Sequence, residues 1–457
     1  MKKLIILYCI SAWVGLGACS VYKSYERPDM PVVDSLYRQA AATSADTTSI
    51  ASLSWRELFT DPKLQALIET GLQNNTDLNI ARLKVTEAEA TLMTSRLAYL
   101  PSISFEPSGT LRSVEGNAMT KSYDIAASAS WEVDIFGKLT NAKRGAKAAL
   151  EQSEAYRQAV QTQLIATIAN SYYSLLMLDA QLDISERTAA NWEENVRAMK
   201  ALKAAGDATE LAVAQSEASK LSVDASIASL RQQIDQMENT LTALLGIAPQ
   251  KIDRTTIGEQ RFPTELAAGV PLQLLQRRPD VRQSEAALAQ AFYATNAARA
   301  AFYPSITLSG SAGWTNAAGA AITNPGQWLF TAVGSLVQPL FNRGRNIANL
   351  RIAKAQQEEA LLSFRQSLLD AGTDVNNALI QWQTARQRQQ IDQQQILSLE
   401  STVRSSELLM QYSSQNYLEV LTARQTLLQA ELTAVSDRFD EIQGVINLYH
   451  ALGGGAE

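Results

Sequence analysis

From residue 123 to residue 135 the odd positions are Tyr, Ile, Ala, Ala, Trp, Val and Ile, while the even positions 124–134 are Asp, Ala, Ser, Ser, Glu and Asp. Successive side chains of a strand point to opposite faces, so this period of two predicts a β-strand that is apolar on one side and polar on the other. Ile306, Leu308, Gly310, Ala312 and Trp314 alternate with Ser305, Thr307, Ser309 and Ser311 in the same manner. Residues 328–341 predict another strand, but alternation there is too poor to assign its faces. Each of the two regions holds a strand pair, joined by loops at 115–121 and 317–327.

The remaining pattern is helical. Leu164, Ile168, Tyr172, Leu175 and Leu182 recur at helical spacing within an unbroken stretch. A very long helix is predicted over about residues 140–203 and another over about 347–411. Leu428, Leu432, Val435, Phe439, Ile442, Ile446 and Tyr449 step alternately by four and three, a heptad seam that favours coiled-coil packing. They lie on a returning helix that ends near Gly453, and its counterpart ends near Gly246. Shorter helices are predicted over 77–100 and 280–303. Pro101 and Pro304 end them, because a proline pushes its predecessor out of the helical region. Pro279 suits a first turn, where its missing N–H costs nothing, and Asp280 meets the positive end of the helix dipole.

These elements come in duplicate. Leu97-Ala98-Tyr99-Leu100-Pro101-Ser102-Ile103 recurs as Ala301-Phe302-Tyr303-Pro304-Ser305-Ile306, and Leu211, Val213, Leu221 and Gly246 correspond to Leu418, Val420, Leu428 and Gly453. A shift of roughly 200–210 residues relates the copies throughout. The layout read from this is a first repeat over 61–246, an equatorial linker over 247–276, a second repeat over 277–453 and a short tail at 454–457. At 1.5 Å per residue the long helix spans roughly 95 Å, the returning helix about 55 Å and the first helix about 35 Å. The two shorter helices end to end match the long one, as in the wall of a tube.

The first sixty residues differ in character. Lys2 and Lys3 precede a short apolar run over 4–16, and Leu16-Gly17-Ala18 precedes Cys19. A charged start, a brief apolar stretch and small residues before a cut describe a secretory signal over 1–18. The run is too short to span a bilayer as a helix. Leu-Gly-Ala-Cys also resembles the bacterial lipobox, which implies lipidation of Cys19. Residues 19–60 then form a lipid-anchored segment and part of an equatorial belt.

Composition narrows the function. The net charge is −6, which argues against a nucleic-acid partner. One histidine, His450, and two cysteines, Cys9 and Cys19, cannot supply an ordinary zinc site, and no cofactor is expected beyond the lipid. No helical segment is apolar enough to cross a membrane, so any spanning part is a barrel. One chain offers four strands, whereas transmembrane barrels begin at about eight. The strands are therefore shared among copies, and three chains give twelve. Tyr123, Trp131, Trp314 and Trp328 are candidates for its interfacial girdles.

Leu275-Gln276-Arg277-Arg278-Pro279-Asp280-Val281, Ala300-Ala301-Phe302-Tyr303-Pro304-Ser305-Ile306, Tyr417-Leu418-Glu419-Val420-Leu421 and Ala451-Leu452-Gly453-Gly454 together resemble the TolC-like outer-membrane factors, in particular their lipoprotein branch, the NodT group. The resemblance covers nearly all of the chain beyond the signal. It implies a mainly α fold with a β membrane part: a homotrimer with a 12-stranded outer-membrane β-barrel continuous with a 12-helix periplasmic tunnel. It implies a passive duct for drugs, toxic compounds or metal ions, not an enzyme. The partners implied are a periplasmic adaptor and an inner-membrane pump of the RND type.

In such ducts, acidic residues after the second inner turn ring the narrowest point. Glu419 matches one such position, and Thr422 occupies another that is often aspartate. Gln415 and Asn416 flank the turn where gate hydrogen bonds form, with Asp207 and Glu210 beside the first turn. Gly206, Asp207, Ser413 and Ser414 mark the turns that meet an adaptor. Glu132 and Asp134 are expected at the periplasmic mouth of the barrel. A type I protein-secretion duct has the same fold and stays open as an alternative. A coiled-coil lipoprotein without a channel is disfavoured by the period-two strands. An enzyme using paired carboxylates lacks any spacing that singles out a pair, and nucleophile or phosphate-loop signatures are missing.

Overall fold

A computed structural model describes residues 22–30, 50, 53–113, 115, 119–262, 277–316, 326–412 and 417–456. The elements are α1 (Trp55–Leu58), α2 (Pro62–Asn74), α3 (Thr76–Leu97), β1 (Ser102–Arg112), β2 (Thr120–Val133), α4 (Lys138–Ala205), α5 (Glu210–Leu244), α6 (Pro279–Ala300), β3 (Ser305–Thr315), β4 (Gln327–Val337), α7 (Arg345–Tyr412) and α8 (Tyr417–Ala451). The duplication is exact in length for most of them. The pairs α3/α6, β1/β3, α4/α7 and α5/α8 have 22, 11, 68 and 35 residues in both copies. β2 and β4 differ, with 14 and 11 residues. The single-turn α1 and the 13-residue α2 were not anticipated from the pattern.

Local chemistry sets the boundaries. Ser54 and Glu57 form a reciprocal capping box at the start of α1. Asp61 caps α2 by accepting from the Lys63 amide at 2.9 Å, with Pro62 at the first helical position. Asn75 caps α3 through the Leu78 amide at 2.9 Å and donates its own amide to the Leu244 carbonyl at 2.9 Å, tying α3 to the end of α5. α5 and α8 end alike, on Gly246 (φ +68°) and Gly453 (φ +81°). A bond then returns from Ile247 N to Thr242 O at 3.1 Å, and from Gly454 N to Tyr449 O at 2.9 Å. Left-handed backbone at this position favours glycine, and at Gly246 a β-carbon would also stand 2.8 Å from the Asn74 carbonyl.

The chain divides into two units. The first comprises Met1–Asp29, Leu83–Glu154 and Gln283–Gln366 and contains the sheet. Its four strands are antiparallel in the order β1-β2-β3-β4, so the β2–β3 pairing joins the two repeats. β1 and β4 are the edges. The register aligns Ser104 with Ser128 and Ser311, and Ser102 with Ser130 and Ser309, on one face. The opposite face carries Ile103, Phe105, Ile125, Trp131, Leu308, Trp328, Phe330 and Leu336, all exposed. The register also settles the facing of β4: Trp328 lies opposite Trp314 and Phe330 opposite Ala312, on the apolar side. Val333 and Val337 fall on the polar side, which is why its alternation reads poorly.

The second unit comprises Met30–Arg82, Ala155–Arg282 and Ser367–Glu457. Its core gathers Phe59, Leu64 and Ile68 of the first short helices and their approach, Ile168, Tyr172, Tyr173 and Leu175 of α4, Leu241 of α5, and Ile442, Ile446 and Tyr449 of α8. Within this apolar mass Asp61 is buried. Its Oδ2 accepts from Tyr172 Oη at 2.6 Å, Thr255 Oγ1 at 2.5 Å and Gln260 Nε2 at 3.1 Å. Burial pushes this carboxyl up, but the hydrogen bonds from Thr255, Tyr172, the Lys63 amide and Gln260 outweigh it and hold it below the usual aspartate range. Arg278, beside Pro279, does more than start a helix. Its guanidinium is buried and binds Asp280 at 2.7 Å, Asp374 of α7 at 2.9 Å and the Ala451 carbonyl of α8 at 2.8 Å.

Candidate functional site

The start of α8 reads Tyr417-Leu418-Glu419-Val420-Leu421-Thr422. Tyr417, Val420 and Leu421 are buried, at the i, i+3 and i+4 spacing of one helix face. Leu418, Glu419 and Thr422 are therefore exposed on the other face. They border an open groove of about 670 Å³ whose far wall is α7, with Ser401, Thr402, Ser405 and Leu409. Thr422 Oγ1 donates back to the Leu418 carbonyl at 2.9 Å. Glu419 sits in the first turn, where the helix dipole favours an anion, and it forms no ion pair among the described residues. A carboxylate held on a fixed helix face and left unneutralised by the described residues is suited to attract cations.

What fixes that face is a polar cluster which the sequence did not reveal. Tyr417 Oη shares a hydrogen bond with Ser216 Oγ of α5, and Ser216 Oγ donates to Asn195 Oδ1 of α4 at 3.1 Å. Burial pushes the Tyr417 phenol up. Trp192, Met199, Val213 and Leu421 pack around this cluster. Two turns beyond Tyr417 along α8, Arg424 binds Glu407 of α7 at 2.6 and 3.1 Å. Tyr417 carries one sequence signal, its place at the inward position of a short apolar set. Ser216 and Asn195 carry none.

At the α4–α5 turn, Gly206 has φ +89° and the Asp207 amide reaches back to the Leu202 carbonyl at 2.9 Å. Thr209 then caps α5 through the Ala212 amide at 3.2 Å. Asp207 is exposed, whereas Glu210 is paired with Lys203. Ser413, Ser414, Gln415 and Asn416, and also Cys19, lie outside the described residues.

In the sheet unit, the polar face lines a hydroxyl-rich hollow of about 290 Å³ that includes Ser102, Ser104, Ser128, Ser130, Ser309 and Ser311. Tyr123, Trp314 and Trp328 cluster at one end of the apolar face, the two indoles 4.7 Å apart. Trp131 stands at the other end and donates to the Tyr99 carbonyl at 2.9 Å. Glu132 is held by Lys138 at 2.8 Å. Asp134 caps α4 at the junction with β2, accepting from Leu139 N at 3.0 Å and Thr140 N at 2.7 Å. The N-terminal segment runs against α6. Tyr22 packs beside Gly137, the Tyr25 amide donates to Tyr293 Oη at 3.3 Å, and Arg27 is paired with Glu285.

The family described as outer membrane efflux protein matches residues 67–247 and 270–454. The cation efflux system protein CusC of Escherichia coli K12 is 31% identical over 453 residues, covering 98% of each chain. The probable outer membrane lipoprotein SilC of Salmonella typhimurium is 29% identical over 458 residues, covering 100% of this chain and 99% of its own. The open state of the Neisseria gonorrhoeae MtrE outer membrane channel superposes with a TM-score of 0.87 at 28% identity, over 96% of this chain and 99% of that one.

Proposed function

The chain belongs to the outer membrane efflux protein family, and from that footing we propose that three copies of it form the passive duct through which a tripartite pump discharges small molecules or metal ions. That it is an outer-membrane efflux channel component follows from the family and from relatives matched along their whole length. The number of copies, the gate, the lipid and the named partners are the proposal.

The observation that carries it is the sheet. Four antiparallel strands with an exposed apolar face, a hydroxyl-lined face and two edges left open among the described residues make sense in lipid only when other copies close the edges. An unpaired backbone group in hydrocarbon costs several kcal/mol, on the order of 4–8 by transfer scales. Twelve strands put serines on the water-filled inside and Phe105, Trp328 and Phe330 on the lipid side. The helices then surround a periplasmic tunnel whose constriction is ringed by Glu419, with Thr422 beside it. Gln415 and Asn416 supply further polar groups at that turn.

Cys19 carries the lipid. Tyr22 packs beside Gly137, close to the junction of β2 with α4. The turns at Gly206–Asp207 and Ser413–Ser414 meet a periplasmic adaptor, which in turn engages an inner-membrane pump of the RND type. The duct performs no chemistry and has no cofactor other than that lipid. SilC and CusC are named for a lipoprotein and for cation efflux, which favours export over protein secretion and keeps metal ions among the cargoes.

The test is planar-bilayer conductance of the purified protein together with susceptibility of a deletion strain. Stable cation-selective channels and hypersensitivity rescued by the gene are expected. Absence of any conductance from correctly assembled protein would sink the duct.

A further inference from the structure

Asp392 lies one turn beyond Arg388 on α7, and Arg388 binds Asp437 of α8, so both carboxyl groups stand in the joint between these two helices. They are 8% and 1% exposed. The Oδ2 of each meets no hydrogen-bond donor among the described residues. The other oxygen of Asp437 accepts from Arg388 Nη2, and Arg388 Nη1 also reaches Asp440 Oδ2 at 3.5 Å. The charged groups facing the pair are thus Arg388 from α7 and Asp440 from α8. α4 touches this stretch of α8 with an uncharged group, Gln181 on Ser436 at 3.0 Å. Three carboxyl groups accordingly face one guanidinium.

Two ionised oxygens in this position are doubly costly. Each has lost its hydration without gaining a donor, and the like charges repel at close range. A single proton removes both penalties, because the protonated oxygen becomes a donor to its neighbour. A metal ion is a poorer occupant: Arg388 already places positive charge against Asp437, and Asp440, the third carboxyl nearby, is turned to the same guanidinium and completes no ligand set among the described residues.

We propose that Asp392 and Asp437 form a proton-binding site in which one shared proton ties α7 to α8, and that loss of this proton as the pH rises loosens the joint. Burial pushes the Asp437 carboxyl up, the hydrogen bond with Asp392 adds to this, and Arg388 opposes it. A carboxyl raised in the folded state holds its proton more tightly than the unfolded chain does. The joint therefore loses stability as the pH climbs from the ordinary aspartate value through the raised one. The site lies about 27 Å along α8 from Glu419, and it stands whether or not Glu419 is a gate.

The experiment is thermal unfolding of the full-length protein in detergent from about pH 5 to about pH 9, for wild type and for Asp392→Asn and Asp437→Asn. An asparagine amide donates to the remaining carboxylate at every pH. The wild-type melting temperature is expected to fall across this range, with a flatter curve for Asp392→Asn that crosses above wild type at the alkaline end. Parallel curves for wild type and both variants would overturn the proposal. So would a divalent cation, tested as calcium or copper, that restores the alkaline wild type but not Asp392→Asn. If neither variant assembles, infrared spectra of the wild type decide: a protonated carboxyl band that vanishes over the same range supports the site, and its absence at every pH refutes it.

Discussion

Tyr417 and Ser216, separated by 201 positions in the sequence, share a hydrogen bond that fastens the first residue of α8 to α5. Because Glu419 follows Tyr417 by two residues, this bond sets the direction in which the carboxylate points. Tyr417→Phe removes the hydroxyl and leaves Ser216 its bond to Asn195. A typical net hydrogen bond contributes about 0.5–1.5 kcal/mol, so the variant is expected to fold with a slightly lower melting temperature. Its single-channel record is expected to show a higher resting conductance than wild type, and an unchanged record would detach this bond from gating.

Glu419→Gln preserves size and removes charge on the exposed side of α8. The expected result is a reversal potential in a salt gradient that shifts towards non-selective, with assembly intact. Thr422→Asp is expected to shift it the opposite way, since Thr422 borders the same groove.

The two faces of β4 give a paired test. Phe330 is 80% exposed on the apolar side, opposite Ala312, and Thr331 pairs with Ser311 on the polar side. Arginine facing lipid costs about 2–4 kcal/mol at the midplane and less towards the interface, so at Phe330, two residues from Trp328, the cost lies below that upper figure. Phe330→Arg is expected to cut the yield of assembled protein in outer-membrane fractions sharply, while Thr331→Arg assembles and alters conductance. Equal losses would contradict the assignment of faces.

Arg278 joins α6, α7 and the end of α8 through Asp280, Asp374 and the Ala451 carbonyl. Removing one partner of a fully buried ion pair typically costs about 3–5 kcal/mol, and the half-exposed carboxylates of Asp280 and Asp374 reduce that figure here. Arg278→Ala is accordingly expected to unfold at a lower temperature, mainly through the buried Ala451 carbonyl left without its donor. Arg278→Lys rescues little, because one ammonium cannot reproduce the forked geometry.

Asp61 predicts behaviour in acid. Its folded-state carboxyl is held below the ordinary aspartate value, so its contribution is present above that value and is lost as the pH falls through the lowered one. Unfolding measured downwards from about pH 5 is expected to show less acid-induced loss in Asp61→Asn, which starts less stable at neutral pH. A wild-type slope retained in that variant would place the acid lability elsewhere.

Much of this architecture is written in local pattern. Pro101, Pro304, Gly246 and Gly453 mark element ends, and the repeat aligns so well that one copy predicts the other. The offset is 203 residues at α3/α6 and β1/β3 but 207 at α4/α7 and α5/α8, and the difference of four is an insertion in the β3–β4 connection. α2 went unread because a 13-residue helix beginning at a capping Asp61 has only three buried positions, Leu64, Ile68 and Gly71, to advertise it. The polar clusters were unreadable for a different reason. Asp61 meets Thr255 and Gln260 across 194 and 199 positions, and such partners leave no periodicity. Of the residues expected at the constriction, Glu419 and Thr422 do share one groove, an outcome of the spacing of Tyr417, Val420 and Leu421.

The outer edges of β1 and β4, which pair with no further strand among the described residues, have a genetic consequence. If each chain must offer one edge to a neighbour on either side, a subunit with a damaged edge does not merely fail alone; it is drawn into rings through its intact edge and spoils them. Alleles altering β1 or β4 would then behave as dominant when expressed beside the wild-type gene, whereas alleles that abolish synthesis would be recessive.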